Sequence, residues 1–383
     1  MSVLHSVVKK HTIVRAGGHD IAISPTPTAM VWEKPGAPHE RVAVPGLVLG
    51  HGEALVEVEL ATVCGSDVHT ALGHRAAPAP LVLGHEQVGR VVVTGDDARR
   101  ADGTPLAVGD RVVWSVTVSC GGCDRCRTGL PQKCRVLVKY GHERMARGWE
   151  LNGGFATHVH LRAGTAIVPV AEGVPAAVLA PAGCGTATAV AALEAVAATV
   201  PLGGANLLVT GGGLIGLTLC ALASDAGARV ILADPDPTRR ALALRFGAAR
   251  AVEPTATAVA AALSPAQRVD GPSAVIEASG AGSAVGLALT AAAVGGVVVL
   301  VGSVFPGNDV PLSAESIVRR QLTIRGIHNY RAEHLIEAVD FLQRTSGDFP
   351  FEQLVGVVLP LDDLDAAIKV AASGAHVRVG VAG

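Results

Sequence analysis

The chain has 383 residues, enough for two domains at ordinary domain sizes. Lys and Arg total 31 against 33 Asp and Glu, a formal net charge of −2, so there is no general basic surface for non-specific nucleic-acid binding. Apolar residues make up 49% and charged residues 17%, which excludes intrinsic disorder, and aromatic residues at 3% leave the core to Ala, Val and Leu.

Mean hydropathy is high, at +0.42. Two stretches without charge, Glu194 to Asp225 and Glu277 to Asp309, are each longer than the roughly 20 residues that span a bilayer. Pro201, Gly203, Gly204 and Gly211-Gly212-Gly213 interrupt the first, and Gly295-Gly296 divides the second. Both read as buried strand and helix pairs of an α/β core, whose central strands are apolar on both faces. Met1 to Lys10 has no charged-then-apolar leader pattern. A cytoplasmic protein without membrane or nucleic-acid partners is expected.

Residues 1–28 read as an N-terminal extension of weak pattern. Val-rich runs follow at Leu55–Leu60, Val88–Val93 and Arg111–Trp114, separated by Gly, Pro and Asp, which predicts a small β-rich domain. The character changes near Pro181. Thr186–Val200 is Ala-rich and helical. From Asn206, strands (Leu207–Thr210, Arg229–Ala233, Ala274–Glu277, Val297–Val301) alternate with helices (Leu214–Ala226, Arg239–Phe246), the pattern of a parallel sheet with crossover helices. A last helix from Leu361 to about Ala372 precedes a strand at Val377–Val381.

Gly211-Gly212-Gly213-Leu214-Ile215-Gly216 fits G-x-G-x-x-G directly between a strand and an apolar helix. Gly211 supplies the tight turn, Gly213 lets the backbone approach a pyrophosphate, and Gly216 permits close helix–strand packing. Asp234 ends the next strand, where a carboxylate accepts hydrogen bonds from an adenosine ribose and repels a 2′-phosphate. NAD is therefore expected over NADP, although Arg239 and Arg240 leave NADP tolerance open. The bland alternative makes Asp234 an exposed cap before Pro235.

Cys120, Cys123, Cys126 and Cys134 form C-x2-C-x2-C-x7-C. Four thiolates close a tetrahedral zinc site with no open position, hence a structural one; an iron–sulfur cluster or free thiols are the rivals. A second, dispersed set comprises Cys64 in Cys64-Gly65-Ser66-Asp67-Val68-His69, His85-Glu86 after an apolar run, and Cys184 at the domain change. Two thiols and an imidazole leave one zinc position for substrate. Taken separately, His85 could be a satisfied core histidine and Cys184 a small buried residue.

With the glycine loop, these residues resemble the zinc-dependent alcohol dehydrogenases of the medium-chain dehydrogenase/reductase superfamily, over about residues 29–383. The resemblance implies an α/β protein in which a doubly wound Rossmann sheet accompanies a GroES-like β-rich catalytic domain. It implies an N-terminal extension at 1–28, a catalytic domain at 29–183 and 341–383 with the structural zinc loop at 120–134, and a Rossmann NAD-binding domain at 184–340. It assigns a catalytic zinc to Cys64, His85 and Cys184, with Glu86 able to approach or replace a ligand and Asp67 behind the metal. Ser66 takes the substrate proton and His69 passes it on. Thr188 lies beside the nicotinamide, and Gly211, Gly213, Leu214, Ile215, Gly216 and Asp234 hold the dinucleotide. Cys220 matches no functional position and reads as buried packing. Gly65 departs from members with Arg there, which removes a pyrophosphate contact.

Two zinc ions per chain, NAD, an alcohol or aldehyde substrate and a homodimer or homotetramer are implied. Lys139-Tyr140-Gly141-His142-Glu143, Trp149 and Gly326-Ile327-His328-Asn329-Tyr330 are similar to a bacterial branch associated with phosphonate metabolism. In that light Lys139, His142, Arg144 and Arg147 could hold an anionic head group. A non-catalytic NAD sensor on the same fold is the alternative function.

Overall fold

The computed structural model describes residues 11–263, 270–304 and 309–383. The chain divides into two units, one running through Gly183 and resuming at Glu352, the other from Cys184 to Phe351.

The first unit is built on an eight-stranded sheet. Val138–Lys139, Arg111–Val118, Gln87–Thr94, Ala54–Thr62, Arg378–Ala382 and Val355–Pro360 run side by side, and His158–Leu161 and Thr165–Pro169 pair with Ala54–Thr62 and Arg111–Val118. The β-branched residues that mark these runs in the sequence suit a pleated surface. Trp114, Tyr140 and Phe155 are fully buried, so the few aromatic residues are concentrated in the core. Arg378–Ala382 lies antiparallel to Ala54–Thr62, with Gly380 opposite Thr62, which ties the C-terminus into this unit. Helix Leu364–Ala372 packs Leu364, Ala367 and Ile368 with Leu81, Leu83 and Phe155.

Residues 12–23 are not an appendage. Thr12–Ala16 pairs antiparallel with His19–Ile23 and parallel with Gly46–Leu49, and Val14 is buried with Leu47, Leu55 and Val93. Met1 to Lys10, the start of the expected extension, lie outside the described residues. The chain returns to the first unit at Glu352, later than the expected boundary at 341, because helix Ala332–Thr345 is one continuous element of the second unit.

The second unit is a six-stranded parallel sheet. Its order is Arg250–Val252, Arg229–Ala233, Asn206–Thr210, Ala274–Glu277, Val297–Leu300 and Thr323–Gly326. Numbered along the chain, this is 3-2-1-4-5-6, the doubly wound dinucleotide-binding order, with its switch point between Asn206–Thr210 and Ala274–Glu277. The two charge-free stretches resolve as expected into separate short elements. The first contains Asn206–Thr210 and Leu214–Asp225, and the second contains Gly282–Ala291 and Val297–Leu300. Among the described residues no single helix is long and apolar enough to cross a membrane.

Candidate active site

Strand Asn206–Thr210 delivers the glycine loop to the switch point. Gly211 has φ +99°, and a Cβ there would stand 2.9 Å from Ser279. A Cβ on Gly216 would stand 1.8 Å from the Gly211 carbonyl oxygen, whereas around Gly213 there is open space. The three glycines therefore do different work: a left-handed turn, a close helix–strand contact and an unobstructed approach. Leu214 begins helix Leu214–Asp225, whose free N–H groups suit a phosphate. Leu214 is buried; Ile215 is half-buried.

Asp234 follows strand Arg229–Ala233. Its Oδ2 accepts the Gly212 N–H at 2.6 Å and its Oδ1 accepts the Asp236 N–H at 2.8 Å. Each carboxylate oxygen keeps a further acceptor site for a hydroxyl donor. Glu277, fully buried at the end of the adjacent strand, accepts the N–H groups of Ser279 and Gly280 at 2.7 and 2.8 Å and so fixes the turn packed against Gly211.

In the first unit the four-cysteine loop closes on itself. Cys134 Sγ lies 3.4 Å from Cys120 Sγ and 4.0 Å from Cys123 Sγ; Cys126 Sγ lies 3.5 Å from Cys123 and 4.0 Å from Cys120. A tetrahedron with Zn–S bonds of about 2.3 Å has edges of about 3.8 Å, so the sulfurs stand at zinc-site separations. The Arg135 and Cys126 backbone N–H groups hold the Cys123 thiol down to about 6, while burial pushes Cys126 up to about 11. Four crowded thiols cannot all ionise without a cation to balance them. Arg135 and Asp124 clamp the loop from outside, with Nε to Oδ1 at 2.6 Å.

The dispersed set also comes together. Cys64 immediately precedes helix Gly65–Ala71, and His85-Glu86 immediately precedes strand Gln87–Thr94. Cys184 directly follows the buried turn Ala180–Gly183, the last piece of the first unit before the chain leaves it. One ligand atom from each of Cys64, His85, Glu86 and Cys184 lies within 4.8 Å of the others. Two thiols and an imidazole suit zinc, so the residues fit the metal.

Asp67 organises this set from behind, buried on the same short helix. Its Oδ2 accepts the Cys64 N–H at 2.9 Å, and its Oδ1 accepts the Gly84 N–H at 3.2 Å and faces His85 Nδ1 at 3.4 Å. His85 Nε2 is thereby turned away from the carboxylate, 3.3 Å from Ser66 Oγ. Burial alone would lower the His85 pKa, but the Asp67 carboxylate and Cys64 outweigh it and raise it to about 10.

Glu86 is fully buried, and burial pushes its carboxyl up against the opposing pull of Arg378. Both oxygens are engaged: Oε2 accepts from Thr62 Oγ1 and Arg378 Nε, each at 2.7 Å, and Oε1 from Arg378 Nη2 at 2.9 Å. Arg378 and Thr62 were not singled out in the sequence, because no local pattern links a C-terminal arginine to Glu86.

Ser66 and His69 lie three residues apart on helix Gly65–Ala71, hence on one face. The His69 ring centroid is 5.7 Å from that of His74. Thr188 Oγ1 donates to the Cys184 carbonyl at 2.7 Å and so stays beside that cysteine. Cys220 is buried in its helix, as expected for packing. The segment after the zinc loop does reach the dispersed site: the His142 ring lies 4.7 Å from that of His85, tilted by 59°. Burial, together with His85, Lys139 and Arg75, holds the His142 pKa well below the usual imidazole range.

Comparison with known proteins agrees with this arrangement. Residues 50–172 match the alcohol dehydrogenase GroES-like domain, and residues 215–344 match the zinc-binding dehydrogenase family. A geraniol dehydrogenase of Castellaniella defragrans is 30% identical over 346 residues, 85% of this chain and 89% of the relative. The crystal structure of an alcohol dehydrogenase from Thermotoga maritima superposes with a TM-score of 0.88 at 29% identity, covering 93% of this chain and 99% of that one. A zinc-binding dehydrogenase from Sinorhizobium meliloti, crystallised with NADP, gives a TM-score of 0.79 at 28% identity, covering 94% and 99%. With two metal-type clusters and a dinucleotide-binding sheet in place, the chain belongs to the zinc-dependent alcohol dehydrogenases of the medium-chain dehydrogenase/reductase superfamily.

Proposed function

We propose that the protein oxidises an alcohol to its aldehyde or ketone, or runs the reverse reduction, with NAD as the hydride acceptor and two zinc ions per chain. The observation that carries this reading is the convergence of Cys64, His85 and Cys184, held from behind by Asp67. Zinc at this donor set supplies Lewis acidity to the alcohol oxygen. Cys120, Cys123, Cys126 and Cys134 would hold the second, structural ion. Asp67 orients the His85 ring and the Cys64 backbone, and Glu86 is kept in place by Arg378 and Thr62.

Ser66 receives the hydroxyl proton at Oγ, and His69, on the same helix face, carries it toward water. NAD, when held by the glycine loop and Asp234, would supply the hydride acceptor, so that one proton and one hydride would leave for each carbonyl formed. Support for NAD comes from the Asp234 carboxylate, whose charge disfavours a 2′-phosphate beside Gly212. The NADP seen in the Sinorhizobium relative makes this a point to measure. The test is absorbance of the reduced cofactor across a panel of alcohols with NAD and NADP, alongside zinc content.

An anionic head group, such as a phosphonate, is a second feature of this reading. It is favoured by Lys139 and Arg75, whose charges bear on His142 beside the site, and by exposed Arg144 and Arg147 on the same segment. The comparison is kcat/KM for 2-hydroxyethylphosphonate against an uncharged alcohol of similar length, at low and high salt. A homodimer or homotetramer is part of the proposal too. Among the described residues no strand pairs with the outer edge of Thr323–Gly326, a place where a second copy could add a strand, and light scattering would measure the assembly. The clustered cysteines fit a reducing, cytoplasmic compartment.

A further inference from the structure

Helix Gly65–Ala71 ends in a turn that folds back along it. The Leu72 N–H donates to the Val68 carbonyl at 3.0 Å, the Gly73 N–H to the Thr70 carbonyl at 3.0 Å and the Arg75 N–H to the His69 carbonyl at 3.1 Å. Gly73 makes this turn possible. It has φ +80°, and a Cβ there would stand 2.9 Å from Cβ and Cγ of Pro35, so a side chain would collide with that ring. The turn sets a second imidazole beside the first: the ring centroid of His74 lies 5.7 Å from that of His69, with the planes tilted by 57°. His69 is half-buried and His74 is exposed. Proton transfer through Ser66 and His69 leaves His74 without a role.

Two imidazoles at this distance suit a metal ion. With metal–nitrogen bonds of about 2.0–2.1 Å and tetrahedral angles, the ring centroids of two histidine ligands stand roughly 5 Å apart. The observed 5.7 Å is within reach of a small side-chain rotation. Each ring carries two nitrogens, so one can turn to the metal while the other keeps a protein partner. Neither residue belongs to the two cysteine-containing clusters. Imidazole ligands suit zinc, nickel and copper, whereas magnesium and calcium take oxygen ligands. Neither histidine brings a negative charge, and Arg75 follows His74 directly, so the ion is held less tightly than by four thiolates. Water fills the remaining positions on the exposed side.

We propose that His69 and His74 form a third metal site, which takes zinc, nickel or copper reversibly from solution and lowers turnover when filled. A metal on His69 occupies the imidazole that carries the substrate proton toward water. The effect on turnover rests on the dehydrogenase reading; the binding does not.

The test titrates the zinc-loaded protein with further zinc by calorimetry and follows alcohol oxidation over the same concentrations. The wild type should bind one more zinc ion per chain, and its kcat should fall by about tenfold, as expected when a proton-transfer group is withdrawn. Magnesium should neither bind nor inhibit. His74→Ala, at an exposed position, should keep the zinc of both cysteine-containing clusters and the basal activity, and should lose the additional ion and the inhibition together. His69→Ala, read by calorimetry alone, should lose the additional ion as well. No additional ion in the wild type, or one that binds His74→Ala just as tightly, would overturn the proposal. So would an additional ion that leaves wild-type turnover unchanged. A protein that oxidises no alcohol in the panel would count against the dehydrogenase reading, and an additional ion lost in His74→Ala would still support the site.

Discussion

Glu86 and Arg378 stand 292 residues apart in the chain and meet as a bidentate ion pair, Nε to Oε2 at 2.7 Å and Nη2 to Oε1 at 2.9 Å. Glu86 is fully buried and the Arg378 side chain is only 12% exposed. Removing one partner of a buried pair strands the other charge. Arg378→Met should therefore destabilise the protein by about 3–5 kcal/mol. The double variant Glu86→Gln/Arg378→Met should lose less than the two single variants summed, since no charge is stranded in it. Denaturant unfolding of the four proteins checks this, and additive losses would show that the pair is not coupled.

The four-cysteine loop should stand or fall with its metal. Few apolar residues support it: helix Asp124–Arg127 has no buried residue. Cys126→Ser should remove one zinc ion per chain and make the 120–134 segment susceptible to proteolysis, because a structural zinc contributes its binding energy directly to folding. Elemental analysis and limited proteolysis measure both. Unchanged zinc content would contradict the assignment.

Cofactor choice should depend on the Asp234 charge. Asp234→Asn keeps an oxygen that can accept the Gly212 N–H, now 2.6 Å from Oδ2, and removes the carboxylate charge. The NAD-to-NADP ratio of kcat/KM should fall by about 10- to 100-fold, equivalent to about 1.4–2.8 kcal/mol. A wild type that already prefers NADP would contradict the role given to Asp234.

A separate buried carboxylate should govern acid stability. Burial pushes the Glu53 pKa up, but His160 Nε2 at 2.8 Å, the Gly50 N–H at 2.8 Å and Arg162 outweigh it, and the net shift is downward. A carboxyl lowered in the folded state contributes stability that is complete above its unfolded pKa and is lost as pH falls through the folded value. The loss should therefore begin below about pH 4 and grow with further acidification. Glu53→Gln should be less stable than the wild type at neutral pH and show a smaller acid-induced drop in Tm. Parallel curves for the two proteins would contradict this.

Much of this molecule could be read along the chain, where the determinants are local. The glycine loop, the strand before it and Asp234 lie within 30 residues, and each glycine meets the steric condition its place in the motif demands. The four cysteines likewise declare themselves by spacing. Cys64, His85 and Cys184 needed the resemblance, because only tertiary folding brings them together. Residues 12–23 were passed over because Thr12–Ala16 and His19–Ile23 are short strands whose pairing with Gly46–Leu49 depends on partners distant in sequence. Arg378 was invisible for the same reason.

Cys184→Ser provides the most direct measurement, made on zinc content, cofactor binding and turnover in one preparation. Cys184 belongs to the dispersed cluster and to neither the four-cysteine loop nor the glycine loop. The variant should keep one zinc ion per chain, bind reduced cofactor with the wild-type affinity, and lose at least about 1,000-fold in kcat/KM, equivalent to about 4 kcal/mol. Alcohol oxidation near the wild-type rate in Cys184→Ser would contradict a catalytic metal at Cys64, His85 and Cys184. A wild type that binds reduced cofactor but turns over no alcohol would point instead to a cofactor sensor built on the dehydrogenase fold.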